Sequence, residues 1–109
     1  MIQVHVTYQF ESGIPYAAAS VNAPVKKLDD ALEYAYRWTQ NIEDSWSNKG
    51  PRDGNDNVSV LHYNFDGSGL RSSMIGDEFM AEGKIFEVSS FGFKEIINFG
   101  IEEKKENTL

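Results

Sequence analysis

Residues 2–10, IQVHVTYQF, alternate without a break: Ile2, Val4, Val6, Tyr8 and Phe10 fall on one side, Gln3, His5, Thr7 and Gln9 on the other. A period of two is the signature of a strand with one buried and one wet face. Glu11-Ser12-Gly13 then reads as a turn. Residues 16–21 read as a strand that pairs back on the first, weakened by three alanines and ended by Asn22-Ala23-Pro24. The period changes at Leu28. Leu28, Leu32, Ala35, Thr39 and Ile42 recur at helical spacing, with Ala31 and Trp38 widening the stripe, so a helix is predicted over 28–42. Asp29, Asp30 and Glu33 lie in its first turns, where the helix dipole favours acids.

Residues 43–57, EDSWSNKGPRDGNDN, are polar except for Trp46 and read as a loop. A strand is expected over 58–63, then a turn-rich connection over 64–69. Residues 77–81 and 84–88 read as a hairpin whose Glu82-Gly83 reversal suits a two-residue turn, because glycine accepts positive φ. Ser89-Ser90 leads into a further apolar piece at Phe91 and Phe93. Residues 94–101 fit a last strand or a short helix. Two strands, one helix and several more short strands predict an α+β fold: a small bent antiparallel β-sheet with one main helix packed against it. One domain is expected over 1–101, with 102–109 (EEKKENTL) as a charged tail. The predicted core is Leu32 and Ala35 of the helix with Val4, Val6, Phe86 and Val88.

Composition narrows the functional classes. Of 109 residues, 17 are acidic and 10 basic, a formal net charge of −7, which argues against direct binding to nucleic acid or to an anionic membrane. The same charge suits a basic partner. There is no cysteine, so thiolate zinc sites, disulfides and cysteine nucleophiles are ruled out, and a cytoplasmic location is expected. MIQVHVTYQF lacks the basic and continuously apolar regions of a signal peptide, and no apolar run is long enough to span a membrane.

Catalytic chemistry finds few carriers. His5 falls on the polar side of its strand and His62 at the end of another, neither beside a nucleophile motif. Asp53, Asn55 and Asn57 have the oxygen-donor spacing of a calcium loop. Val58 then takes the place of the required glycine and Asn64 that of the closing glutamate, and a polar turn accounts for the same letters. No catalytic residues, metal or cofactor are expected. The candidate binding residues form two groups: Arg37, Gln40, Asn41, Trp46 and Asn48 around the helix end, and Arg71, Ser72 and Ser73 before the hairpin. Arginine and hydroxyls suit a phosphate or carboxylate, and an exposed tryptophan suits a planar ring. The competing reading tucks Trp46 into the core.

Arg71-Ser72-Ser73-x-x-Gly76-Asp77, followed by Gly83-x-x-Phe86-x-Val88-x-Ser90-Phe91-Gly92-Phe93, resembles a pattern found in small accessory proteins of bacteriophages and mobile elements. In that pattern an upstream helix often ends in T-x-N-I-x-x-S-W-S, here Thr39 to Ser47. Met74 and Ile75 depart from it, standing where a second serine is common. The resemblance covers about half of the chain and implies a phage-type accessory protein, without an activity or catalytic residues. The combined expectation is a non-enzymatic protein of the host cytoplasm. It would bind and inhibit or modulate a host protein, in defence or regulation, through acidic and aromatic surface. The alternative is a nucleotide-like small-ligand binder or sponge using Arg71, Ser72, Ser73 and Trp46.

Overall fold

The computed structural model describes residues 1–9 and 13–96. Six strands and one helix follow in the order β1 (Ile2–Tyr8), β2 (Tyr16–Ala23), α1 (Leu28–Trp38), β3 (Val58–Val60), β4 (Glu78–Ala81), β5 (Lys84–Ser89) and β6 (Gly92–Glu95). They form one open sheet in the order β3-β2-β1-β4-β5-β6, every neighbouring pair antiparallel. The helix packs on one face, against β1, β2 and β4. This is the α+β architecture expected from the sequence. Among the described residues no helix is long and apolar enough to cross a membrane.

The alternation in β1 sends Val4, Val6 and Tyr8 inward and leaves Gln3 and His5 exposed. The alanines of β2 do not make the strand weak. It runs to Ala23, two residues past the expected end, because Ala18, Ala19 and Ala23 are buried and small. They meet a helix whose buried residues are Ala31, Leu32 and Ala35, so the two layers approach closely. The register slips by one between Val6 and Thr7 and leaves Ala18 without a partner on β1. That bulge brings Tyr16 opposite Tyr8, with the two rings edge-on at 5.8 Å.

At the predicted reversal Glu82 (φ 52°) and Gly83 (φ 74°) both take the left-handed region, as a type I′ turn requires. Phe86 and Val88 of β5 are buried, as are Leu32, Ala35, Val4 and Val6. The helix is shorter than its periodicity suggests. It stops at Trp38, where the Thr39 hydroxyl donates back to the carbonyl of Ala35 at 2.8 Å. Ile42 therefore lies beyond the helix and is exposed rather than in the apolar stripe. The strand expected over 58–63 is three residues long, although Leu61 still donates its N–H to Ala18. Phe10, the Glu11-Ser12 part of the first turn, most of the element expected over 94–101 and the tail 102–109 lie outside the described residues.

Candidate functional site

The two candidate groups are brought together, but as partners of each other. Thr39 O accepts the Ser73 N–H at 3.0 Å, and Gln40 Nε2 donates to Ser73 O at 3.1 Å. Asn41 N–H donates to Ser72 Oγ (2.8 Å), Asn41 Nδ2 to Leu70 O (2.9 Å), and Asn41 Oδ1 accepts Trp46 N–H (2.9 Å). Ser47 Oγ accepts the Leu70 N–H at 2.7 Å, and Asn48 Nδ2 donates to Gly67 O at 3.4 Å. These bonds lace the segment after α1 to the segment before β4. Residues 39–48 and 67–73 are thus the two halves of one clasp.

Trp46 is fully buried, and its indole N–H donates to Arg71 O at 2.9 Å. The expectation of a ring available for stacking on a ligand is corrected: a large apolar ring in a polar loop turns inward because only the core covers it. Arg71 O also accepts the hydroxyl of Tyr8, at 3.0 Å. The Arg71 guanidinium forms two parallel bonds to Asp77, at 2.7 and 2.9 Å, and donates to Gln9 O. It stacks 4.2 Å over the Tyr8 ring. Asp77 is buried and takes the N–H groups of Gln9 and Met74 as well. Ser73 is buried, donating to the Tyr8 hydroxyl at 3.1 Å and lying 2.6 Å from Thr39 Oγ1. Burial raises the Tyr8 pKa far above its ordinary value, against the opposing pull of the Ser73 bond and the Arg71 charge. Arg71, Ser72, Ser73 and Trp46 therefore work as structure, and the phosphate grip expected of them is already occupied by the protein's own groups.

The loop 43–57 is a second knot. Asp53 is fully buried, and its Oδ2 accepts the N–H groups of Ile42, Glu43 and Asp44 at 2.6–2.8 Å. Asp44 returns the arrangement by accepting the N–H groups of Arg52 and Asp53. Arg37 reaches in from α1 to Asp53 Oδ1 at 3.2 Å. The backbone bond from Asp44 is the main cause that holds the Asp53 carboxyl below its ordinary pKa; burial opposes it, and Glu43, Ile42 and Arg37 assist. Gly50 has no side chain because a Cβ there would run into the Asp44 carboxylate. Asp53, the first oxygen donor of the calcium reading, thus fills an internal anion nest.

A groove of about 510 Å³ lies open between α1 and the β5–β6 hairpin. Arg37 and Gln40, two of the expected residues, line it; Asn41, Asn48 and the Arg71 group do not. Its apolar wall is Tyr36, Val88 and Phe93. The Phe93 ring stands edge-on to Tyr36 at 6.1 Å and lies 5.2 Å from the buried ring of Phe79. Ser90 and Phe91 form the two-residue tip of the hairpin, and Phe91 is wholly exposed at 99%. Ile42 also lines the groove. Met74 and Ile75 are exposed on the turn that leads to Gly76, whose N–H bonds to Val88 O. Sequence reasoning missed Tyr36, Phe93 and Ile42 as groove lining because the helix stripe and the strand alternation mark apolar positions without saying which lie at a margin; Val88, buried as expected, also lines it. The aromatic in a tight turn at Phe91 was the available signal.

Elsewhere, His5 is exposed on the uncovered face of the sheet and His62 stacks on Tyr16 at 4.3 Å. Comparison of the chain with protein-family models, curated proteins and solved structures finds no match.

Proposed function

We propose that this chain acts by stoichiometric binding of a protein partner, docked at the groove between α1 and the β5–β6 hairpin. One observation carries the reading. Phe91, exposed at 99%, stands at the tip of the hairpin between Ser90 and Gly92, two residues that line the groove, and Ile42, exposed at 60%, lines the same groove. Exposed apolar groups gathered in one place mark interaction sites, whereas scattered ones carry no meaning. Phe91 is held on a two-residue turn, so its backbone is already ordered before docking, which favours it as an anchor. The role we propose is non-enzymatic: the hydroxyls of Tyr8, Thr39 and Ser73, the half-buried Arg71 and the buried carboxylates of Asp53 and Asp77 are engaged in holding the fold. The resemblance of residues 39–47 and 71–93 to phage-type accessory proteins supports a host protein in the cytoplasm as the partner, with inhibition or modulation as the outcome. The nucleotide-binding alternative has lost Trp46 and Arg71 to internal contacts, and no observation favours it.

The test is affinity capture from bacterial lysate with the wild-type chain and with Phe91→Ser side by side. The expected result is one protein retained in stoichiometric amount by the wild type and lost with Phe91→Ser, at unchanged melting temperature. Equal retention by both would overturn the docking face.

A further inference from the structure

We infer that the groove takes a partner segment in which an apolar side chain is flanked by lysine or arginine. The inference rests on the protein-binding reading and names the chemistry of its ligand.

The groove has the volume of a site that buries one or two large side chains rather than a whole element. Its wall of Tyr36, Val88 and Phe93 offers aromatic and branched surface to such a group. The charges around that wall are not balanced. Arg37 is the one cation among the lining residues, and its charge is answered from inside the protein by the buried Asp53. Glu33, one turn earlier on the same helix, also lines the groove, is exposed, and makes no ion pair among the described residues. Asp29 and Asp30 continue the acidic surface toward the start of α1. Glu95, outside the groove lining, is exposed on the face of β6 that carries Phe93, since strand side chains alternate. A ligand with carboxylates or phosphates would meet Glu33 beside an arginine that is already paired. A ligand with lysines or arginines beside its apolar anchor meets the uncompensated Glu33 carboxylate, and the chain's net charge of −7 brings it there faster.

The experiment uses the full ¹⁵N-labelled chain and two capped hexapeptides with the same Leu-Phe centre, one flanked by lysines and the other by glutamates. Amide signals are followed during titration. The lysine peptide is expected to shift Glu33, Arg37, Ser89 and Phe93, and to bind about tenfold more tightly than the glutamate peptide, each exposed ion pair adding about two- to fivefold. Its affinity should fall by a similar factor when salt is raised from about 0.05 to 0.5 M, because screening shortens the reach of exposed charges. Glu33→Gln should weaken it about two- to fivefold, with unchanged melting temperature. Equal binding of the two peptides, shifts confined to other surfaces, or no shift with either at millimolar peptide would overturn the inference. So would concentration-dependent shifts of the same signals without peptide, which would make a second copy the occupant. Should Phe91→Ser lose a captured partner while Glu33→Gln keeps it at full affinity, the binding reading stands and the cationic flank falls. Should Phe91→Ser keep the partner, the binding reading itself falls.

Discussion

Asp53 shows how a residue type can signal a ligand while serving as one. Its side chain takes the place of a bound anion, receiving three N–H groups and one guanidinium. Nothing in DGNDN marks that role, because the donors lie about ten residues earlier and on the helix. The consequence is a pH dependence of defined sign. The folded Asp53 pKa is depressed relative to the ordinary value near 4, so the folded state holds the proton less tightly than the unfolded chain. The stability it contributes is present above about pH 4 and is lost as pH falls through the folded value. Asp53→Asn should therefore melt below wild type at pH 7, and the gap should narrow toward pH 3. A gap that stays constant across that range, measured by thermal melts in a pH series, would show that the carboxylate charge carries none of the effect. Trp46 and Ser73 teach the same lesson: indole and hydroxyl suit a ligand or an interior equally, and only the neighbours decide.

The elements were largely legible where a period runs long enough. The alternation of Ile2 to Tyr8, the stripe from Leu28 to Ala35 and the Glu82-Gly83 reversal all appear as read. The errors lie at ends. The stripe continues in register through Thr39 and Ile42, yet the helix stops at Trp38 because Asp53 draws the N–H groups of Ile42, Glu43 and Asp44 away from helical bonding. That pull is non-local and has no local signature. The β2 alanines were misjudged for a related reason: propensity rates a strand alone, whereas Ala18, Ala19 and Ala23 matter for the helix layer they admit. That close layer predicts that Ala35→Leu, which fits the helix by propensity, overfills the interface and costs about 1–3 kcal/mol in chemical denaturation. A neutral or stabilising result would mean that the layer has slack.

The molecule as a whole separates two kinds of polar–apolar chemistry. On one side of the α1 terminus a clasp of Arg71, Asp77, Tyr8, Thr39, Ser73 and Trp46 closes the chain on itself. Between α1 and the β5–β6 hairpin, whose tip carries Phe91, a groove stays open. The sequence pattern singled out the clasp as the candidate surface, because its residue types are those of ligand sites. The groove was illegible, being made where a helix end and a hairpin from distant parts of the chain meet. The division between a structural clasp and an outward-facing groove is the central claim. It is tested most directly by urea unfolding of Arg71→Ala and Phe91→Ser side by side. Removing Arg71 leaves the Asp77 carboxylate buried without its cation, which should cost about 3–5 kcal/mol. Phe91→Ser, at a fully exposed turn, should stay within about 0.5 kcal/mol of wild type. The reverse order, with Arg71→Ala near wild type and Phe91→Ser strongly destabilised, would contradict the account.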